Sequence, residues 1–344
     1  MQTDVLILGA GPAGCAAAIR ARRAGLQVIL MERLAEPKIS PGETLHPGIE
    51  PILAQLGVWK AIATEDFHRH RGIWVEWDGP RRFQPYGSDE RGEWLGLQVD
   101  RARLHTILQK AATDLGAVLL KPLKPIAPLR QGDRIVGVQT SSGSIYARWL
   151  IDATGRKHWL ADRLSLASQV HSPSVQVRFG WTELNDDTLQ GQPLLSAAPW
   201  GWDWQAPLGN GRMAWARLRV TGKQPQSGHG FSYGVDLSWR IFPDCAGLGW
   251  FLLGDAASVL DPTSSHGVLR ALMSGVLASH LIESVACGRL SESSAIDYYV
   301  QWMNEQFHRD VSALKELYAR HRFGPQLCQQ TGEKHWPAQS ESMQ

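Results

Sequence analysis

The chain opens with apolar runs separated by a glycine-rich turn. Residues 5–8 form an unbroken apolar run, which is typical of a parallel strand covered on both faces. An alanine-rich segment over residues 15–24 follows the turn and predicts a helix, and residues 28–31 form a second apolar run. Strand, turn, helix and strand in this order predict a βαβ unit.

The rest of the chain mixes two kinds of strand pattern. Apolar runs near residues 149–152 and 250–253 each lead into a tight turn, whereas residues 170–220 alternate apolar and polar positions as antiparallel strands do. Helices are predicted over residues 101–115, with Asp100 as the cap, over 267–287 and over 291–321. Because the two patterns are interspersed, we expect two interleaved domains.

The first turn has the spacing of a nucleotide-binding motif. It reads Gly9-Ala10-Gly11-Pro12-Ala13-Gly14, and Glu32 ends the second apolar run. Gly9 permits the tight turn, Gly11 lets a pyrophosphate approach the backbone, and Gly14 lets the helix lie close to the strand. The helix N-terminus attracts phosphates, and a carboxylate at position 32 can accept hydrogen bonds from ribose hydroxyls. We therefore predict an adenine dinucleotide site; the alternative is a turn that binds nothing.

Composition narrows the classes of partner. The formal net charge of +2 gives no electrostatic case for nucleic acid or an anionic membrane, and no apolar stretch reaches the roughly 18 residues of a membrane span. The first residues lead directly into a strand, so no signal peptide is expected. The four cysteines form no C-x-x-C pair, which disfavours a metal site and fits a reducing cytoplasm. We expect a cytoplasmic protein with no metal and no nucleic-acid or membrane partner.

Two later stretches complete a pattern of three motifs. Asp152-Ala153-Thr154-Gly155 follows one apolar run, and Gly254-Asp255-Ala256-Ala257 follows another and continues to Asp261-Pro262. Together the motifs resemble the FAD-dependent aromatic hydroxylases of the p-hydroxybenzoate hydroxylase type, over roughly residues 1–290. The resemblance implies an α/β fold, with a Rossmann-type FAD-binding domain interleaved with an antiparallel-sheet substrate domain. The implied divisions are 1–66, 97–165 and 241–290 for FAD, 67–96 and 166–240 for substrate, and 291–344 as a C-terminal helical tail.

The resemblance also implies which residues hold FAD. Asp255 would bind a ribityl hydroxyl, or would act only as an ordinary helix cap. Residues 262–267 would pass along the pyrimidine edge of the flavin, with a helix N-terminus facing the charge of the reduced flavin. Arg101 would contact FAD, or would be a surface charge of its helix. The predicted FAD-binding set is Gly9, Gly11, Pro12, Ala13, Gly14, Glu32, Arg33, Thr44, Gln98, Arg101, Asp152, Thr154, Gly155, Asp255, Pro262, Ser265, His266, Gly267 and Val268.

Two shorter motifs resemble those of particular groups within these flavoproteins. Pro41-Gly42-Glu43-Thr44-Leu45 looks like the Gly-Glu-Ser loop of flavin-dependent tryptophan halogenases, and Trp202-Asp203-Trp204-Gln205-Ala206-Pro207 is similar to their W-x-W-x-I-P motif. Both features also occur in a sister group of flavoprotein monooxygenases, which hydroxylate tryptophan side chains in precursors of quinone-cofactor enzymes. Residues 261–272 look closer to that sister group than to the halogenases.

Two departures from these families bear on the activity. Halogenases carry a lysine in the strand after the Gly-Glu loop, where it holds or polarises hypohalous acid, and residues 68–77 contain none. The alternative is that a lysine from another part of the chain substitutes for it. Hydroxylases that use NAD(P)H directly carry Asp-Gly where this chain has Thr154-Gly155. Reduced flavin is therefore expected from elsewhere, for example from a flavin reductase.

The resemblance implies a monooxygenase in which reduced FAD and oxygen give a flavin hydroperoxide that hydroxylates an electron-rich ring. The substrate would be an aromatic small molecule or a tryptophan in a peptide or protein precursor of a quinone-cofactor enzyme. His266, Glu43 and His46 are the candidate catalytic residues. The alternatives are that His266 is satisfied by the backbone and that Glu43 and His46 are solvated loop residues.

The sequence contains 15 tryptophans, and four of those in the predicted substrate domain are singled out. Trp74, Trp77, Trp202 and Trp204 are candidates to line the substrate pocket, or equally to pack on the sheet. Three other functions stay open: a flavin-dependent halogenase, a flavin oxidoreductase of the geranylgeranyl-reductase type, and a non-catalytic flavin-binding protein.

Overall fold

The computed structural model describes residues 1–36, 43–184, 188–209, 211–221 and 234–326. Its α-helices are α1 (Pro12–Arg23), α2 (Glu50–Gln55), α3 (Trp59–Ala63), α4 (Arg101–Asp114), α5 (Trp159–Leu164), α6 (Gly267–Ala286) and α7 (Glu292–Ala319). Its strands are β1 (Gln2–Leu8), β2 (Val28–Met31), β3 (Glu43–Leu45), β4 (His68–His70), β5 (Gly72–Glu76), β6 (Arg82–Pro85), β7 (Ser88–Asp89), β8 (Gly92–Glu93), β9 (Gly96–Val99), β10 (Val118–Leu120), β11 (Pro125–Gln131), β12 (Arg134–Thr140), β13 (Gly143–Asp152), β14 (Gln169–Val170), β15 (Ser174–Glu183), β16 (Leu194–Ala198), β17 (Gly201–Pro207), β18 (Arg212–Thr221), β19 (Val235–Asp236), β20 (Arg240–Ile241), β21 (Ala246–Gly247), β22 (Trp250–Leu252) and β23 (Ser258–Val259).

An eight-stranded sheet forms the first half of the molecule. Its order is β10-β2-β1-β13-β12-β11, with β22 beside β13 and β21 beside β22. β1 pairs in parallel with β2 and β13, and β13 pairs in parallel with β22. The apolar runs at residues 5–8, 149–152 and 250–253 therefore lie side by side, and the turns that follow them meet at one edge of the sheet. This arrangement confirms the predicted α/β fold with a Rossmann-type half.

Helices α1 and α6 pack closely on one another beside this sheet. A Cβ on Gly275 of α6 would lie only 2.3 Å from the carbonyl oxygen of Ala13, so the two backbones are in contact there. The Ser279 hydroxyl donates a hydrogen bond to the Ala17 carbonyl at 2.9 Å. In the described part of the chain, α6 alone is long and apolar enough to cross a membrane. Its close packing on α1 identifies it as a core helix.

A seven-stranded sheet forms the second half, in the order β19-β15-β18-β17-β16-β5-β6. Its strands are antiparallel except that β16 runs parallel to β5. One face of this sheet forms a second apolar core with the C-terminal half of α7. The core includes Val175, Val177, Trp202, Leu218, Val220, Phe307, Val311, Leu314 and Tyr318.

Strands β3, β9 and β4 form a separate three-stranded sheet. Residues 68–70, predicted as a substrate-domain strand, pair with β9 and not with the seven-stranded sheet. In this sheet Thr44 lies opposite Gln98. The strands thus bring the end of the Gly-Glu loop next to the chain that leads into α4.

Candidate functional site

A cavity of about 1430 Å³ is lined at one end by the glycine turn after β1 and at the other by the seven-stranded sheet. Most of the predicted FAD-binding residues line it: Gly9, Gly11, Pro12, Ala13, Glu32, Arg33, Thr44, Arg101, Thr154, Gly155, Asp255, Pro262, Ser265, Gly267 and Val268. Among the described residues of the predicted set, Gly14, Gln98, Asp152 and His266 are not part of this lining. The three motifs at residues 9–14, 152–155 and 254–268 therefore all contribute residues to one space.

The three glycines of the first turn have different surroundings. A Cβ on Gly9, whose φ is +101°, would lie 2.3 Å from the Ala153 carbonyl oxygen. A Cβ on Gly14 would lie 2.0 Å from the Gly9 carbonyl oxygen. A Cβ on Gly11 would meet no protein atom within 4 Å, and Gly11 lines the cavity. The fold requires the absence of a side chain at Gly9 and Gly14, whereas Gly11 leaves open space for a ligand.

Helix α1 begins at this open space. Gly11 is its N-cap, and its first turn has neither a side-chain cap nor an acidic residue. The free N–H groups and the dipole of this first turn favour an anion. Glu32 accepts hydrogen bonds from the backbone N–H of Ala10 at 3.1 Å and of Leu34 at 3.0 Å. Glu32 is thereby fixed against the glycine turn while it lines the cavity.

Helix α4 presents a polar stripe to the cavity. Arg101, His105 and Gln109 are spaced four residues apart, which places them on one helix face, and all three line the cavity. Gln109 Nε2 donates to the Ala10 carbonyl at 3.1 Å. His105 Nε2 is buried without a partner in the described chain, and burial with the nearby Arg101 lowers the pKa of His105 to about 4. Of these three residues only Arg101 is in the predicted FAD-binding set, although the four-residue spacing is a signal for His105 and Gln109 as well.

Gln98 lies beside this stripe and is only 3% exposed. Its Oε1 accepts a hydrogen bond from the Thr44 hydroxyl at 3.1 Å, while its Nε2 is buried with no partner in the described chain. A buried donor left unpaired is costly. Of these two unpaired nitrogens, that of His105 belongs to a residue that lines the cavity, and it indicates a place where a polar ligand completes the structure.

Asp152 shapes the second turn from within the fold. Its two carboxylate oxygens accept hydrogen bonds from the backbone N–H of Thr154 at 2.8 Å and of Leu160 at 2.7 Å. The side chain is fully buried, and burial raises the pKa of this carboxyl. Asp152 thus holds the turn, and Thr154 and Gly155 are the members of the motif that line the cavity.

Two of the predicted catalytic residues lie close together. His266 is the N-cap residue of α6, and the ring centroids of His266 and His46 are 6.0 Å apart. Burial lowers the pKa of both histidines, so the neutral imidazole is favoured at neutral pH. His46 Nδ1 accepts a hydrogen bond from the Gly48 N–H at 3.0 Å. Glu43 is the first residue of β3; its side chain, like residues 37–42, lies outside what the structure describes.

Two of the four predicted pocket tryptophans reach the cavity. Trp202 and Trp204 on β17 both line it. Asp236 and Arg240 also line the cavity. The apolar residues of the lining near Trp202 and Trp204 are Ile73, Val177, Phe179, Pro193, Leu195, Ala216, Val235, Leu237 and Leu260. This set, with Trp202 and Trp204, is called the aromatic wall below. The aromatic wall fits an apolar or aromatic group.

The other two tryptophans are not at the cavity. Val75 and Trp204 both neighbour Leu195 in the sheet register, so Trp74 faces the opposite side of the sheet. On that side the Trp74 indole N–H donates to the Leu189 carbonyl at 3.1 Å. Trp77 is 1% exposed and donates to the Leu317 carbonyl of α7 at 2.7 Å. Trp74 and Trp77 therefore pack on the sheet and do not line the pocket. Strand alternation turns Trp74 to the opposite face, and α7 covers Trp77.

The site as a whole fits an adenine dinucleotide. The open space at Gly11, the uncapped start of α1 and the carboxylate of Glu32 match a pyrophosphate and a ribose. The cavity continues past Asp255 and the residues 262–268 to the aromatic wall. A ligand bound along it would extend from the glycine turn toward an apolar substrate region.

Comparison with known proteins agrees with this geometry. A family model described as FAD dependent oxidoreductase matches residues 4–161. A tryptophan 2-halogenase of Chondromyces crocatus is 27% identical, over 92% of this chain and 70% of that protein. A menaquinone reductase of Mycobacterium tuberculosis is 31% identical, over 87% of this chain and 81% of that protein. The structure of a peptidyl tryptophan dihydroxylase, QhpG, superposes with a TM-score of 0.77 at 19% identity, over 100% of this chain and 81% of that one.

Proposed function

The chain belongs to the family of FAD-dependent oxidoreductases, and from this premise we propose that it is a monooxygenase that hydroxylates an aromatic ring. The observation that carries the proposal is that Trp202 and Trp204 line the same cavity as the glycine turn and Pro262. Aromatic side chains give planar rings both apolar contact and a preferred stacking geometry. An aromatic ring held against Trp202 and Trp204 is therefore the substrate class that this wall favours.

In this proposal residues 1–66, 97–165 and 241–290 hold FAD, and residues 67–96 and 166–240 receive the substrate. The first turn of α1 binds the pyrophosphate, Glu32 accepts hydrogen bonds from ribose hydroxyls, and Asp255 does so from the ribityl chain. Arg101 and His105 supply a charge and a neutral imidazole from the α4 side of the cavity. When bound, FAD supplies the two-electron chemistry that activates molecular oxygen.

The protein's own part in the reaction is to orient the ring, exclude water and move protons. The aromatic wall keeps the substrate region dry, which protects reactive species from hydrolysis, and fixes the ring near the loop of residues 262–265. His266 directly follows Ser265, which lines the cavity. Since its neutral imidazole has one donor and one acceptor nitrogen, His266 is suited to exchange a proton there, with His46 beside it.

The positions of the lysines favour hydroxylation over halogenation. Among the described residues, the lysines that line the cavity are Lys121, Lys124 and Lys157. Lys121 and Lys124 flank a segment whose Leu123 N–H donates to the Glu32 carbonyl at 2.8 Å, so they belong to the glycine-turn end. Residues 68–77, the strand in which halogenases carry their lysine, contain none. The ammonium group associated with halogenation is therefore absent from that strand.

Reduction of an apolar, unsaturated substrate is the second candidate function. It is favoured by the apolar composition of the aromatic wall and by the 31% identity to a protein named menaquinone reductase. Such a reaction would pass two electrons and two protons to a carbon–carbon double bond and would need no oxygen. Oxygen dependence therefore separates it from the proposed monooxygenase.

A single-turnover experiment tests the proposal. The FAD-loaded protein is reduced with dithionite without air, then mixed with isotopically labelled oxygen, chloride, bromide and either indole or a tryptophan-containing peptide. We expect a product that carries labelled oxygen by mass spectrometry. A halogenated product would replace the proposal with a halogenase, and oxygen-independent reduction of menaquinone would replace it with the reductase. Trp204→Ala, compared with the exposed Trp94→Ala, should keep FAD but lower the product yield.

A further inference from the structure

Asp261 is a buried carboxylate directly before the loop that lines the cavity. It is fully buried. Its Oδ1 accepts hydrogen bonds from the Thr263 backbone N–H at 3.0 Å and from the Thr263 hydroxyl, and its Oδ2 accepts from Trp239 Nε1 at 2.8 Å and from the Tyr318 hydroxyl at 3.1 Å. Backbone and indole N–H groups can only donate. Asp261 is therefore a hub where three distant segments meet.

The Tyr318 hydroxyl connects this hub to the aromatic wall. Tyr318 lies near the end of α7 and is 1% exposed. Its oxygen accepts a hydrogen bond from Trp202 Nε1 at 3.0 Å while its own hydrogen is donated to Asp261. The ring is packed by Trp77 and Trp239, with centroids 5.5 and 5.7 Å away. One hydroxyl group thus joins the substrate face to the carboxylate beneath the cofactor loop.

The conformation of that loop depends on the hub. Asp261 caps the 3-10 turn Pro262–Ser264, and the next residue, Ser265, has a φ of +54°. A non-glycine residue in the left-handed region is strained and persists only when its surroundings hold it. Pro262, Thr263 and Ser265 all line the cavity. A shift of Asp261 would therefore change the surface that the bound cofactor meets.

We propose that Tyr318 is a positioning residue that holds the aromatic wall and the cofactor loop in one fixed arrangement, through Trp202 and Asp261. This role makes α7 a structural partner of the site although Tyr318 does not line the cavity. This positioning role rests on the proposed function only in the identity of the substrate that binds at the aromatic wall. Buried hydrogen-bond networks of this kind respond as a unit, since loss of one member leaves others unpaired.

The test compares Tyr318→Phe with the matched variant Tyr299→Phe in the FAD-loaded protein. Tyr299 is also fully buried on α7, and its hydroxyl donates to the Leu252 carbonyl at 2.7 Å. Both variants should lower the melting temperature by similar amounts. Tyr318→Phe should in addition raise the FAD dissociation constant about tenfold and shift the visible flavin spectrum, because an unpaired Trp202 N–H and a freed Asp261 disturb the loop. Tyr299→Phe should do neither.

Two further variants keep the inference falsifiable if Tyr318→Phe folds poorly. Thr263→Val removes one donor to Asp261 from a partly exposed position and should shift the flavin spectrum in the same direction. Trp202→Phe should weaken FAD binding less in a Tyr318→Phe background than in the wild type, because the two act through one bond. Strictly additive losses, or a Tyr318→Phe protein with the spectrum and FAD affinity of Tyr299→Phe, would overturn the inference.

The readouts also separate this inference from the proposed function. Flavin spectrum and FAD affinity do not depend on which substrate is oxidised or on whether oxygen is consumed. Loss of the proposed hydroxylation with the expected Tyr318 effects would therefore refute the function alone. Hydroxylation with no specific Tyr318 effect would refute the positioning role alone.

Discussion

Replacing Gly11 with alanine should separate cofactor binding from folding. The new Cβ would meet no protein atom within 4 Å, and the φ of Gly11 is −81°, which alanine adopts freely. Alanine is a poorer N-cap than glycine, by up to roughly 1 kcal/mol. It also restricts the unfolded chain, which stabilises by about 0.4–1 kcal/mol. The two effects nearly cancel, so the free energy of unfolding should change by less than about 1 kcal/mol.

The loss of FAD affinity follows from the same geometry. The methyl group would stand in the open space before the first turn of α1, where the pyrophosphate is expected. Overpacking by a methyl group costs about 1–3 kcal/mol. At about 1.4 kcal/mol per tenfold change, the dissociation constant of FAD should rise roughly five- to 150-fold.

Titration of apoprotein with FAD, followed by flavin fluorescence, measures this change, and thermal unfolding by circular dichroism monitors the fold. Gly79→Ala is the matched control, since its Cβ also meets no protein atom within 4 Å and Gly79 lies away from the cavity lining. Gly14→Ala should lower both the FAD affinity and the stability of the fold, because its Cβ would lie 2.0 Å from the Gly9 carbonyl oxygen. A folded Gly11→Ala protein with wild-type FAD affinity would refute the assignment of the pyrophosphate to this turn.

Three further variants probe the rest of the site. Asp255→Ala should purify without yellow flavin, and stoichiometric FAD in the purified protein would remove Asp255 from the binding site. His266→Ala should retain FAD yet slow product formation in the single-turnover assay, and an unchanged rate would remove it from the mechanism. Burial lowers the pKa of His70 from 6.5 to about 4, so the unfolded chain binds the proton more tightly and stability should fall as the pH drops from 6.5 toward 4, by at most about 3 kcal/mol. His70→Asn should flatten that part of the stability profile in urea unfolding, and an unchanged slope would show that other groups cause it.

The cofactor half of the molecule could be predicted because its signals are local. The roles of Gly9, Gly11 and Gly14 follow from the geometry of one strand, one turn and one helix within about a dozen residues. The close approaches of Gly9 to Ala153 and of Gly14 to Gly9 match those roles. The FAD cofactor required more than this turn, because the same spacing serves other dinucleotides, and the motifs near residues 152 and 255 supplied the distinction.

The substrate wall could be predicted only in part. Strand alternation shows that Trp202 and Trp204 share a face, and they do. It does not show which face of β5 turns inward, because that depends on the register with β16, where Leu195 meets Val75 and not Trp74. The position of Trp77 could be predicted only with the knowledge that α7 returns to cover that end of the sheet, where the Trp77 indole N–H donates to the Leu317 carbonyl. Pairing across the sheet, not composition, decides which indoles reach the cavity.

Asp261 shows where reasoning from sequence reaches its limit. Read locally, Asp-Pro before a short turn is a cap, and the Thr263 N–H does bond to its Oδ1. The other oxygen is satisfied by donors 22 and 57 residues away, on Trp239 and Tyr318. Nothing in the spacing of those residues links them, since the contact exists only once α7 has packed on the sheet. If Asp261 were only a helix cap, the protein would tolerate Asp261→Ser. Because Asp261 is instead the buried acceptor for Thr263, Trp239 and Tyr318, the substitution leaves buried donors on three segments unpaired. The stability lost should therefore far exceed the roughly 1 kcal/mol of a lost cap.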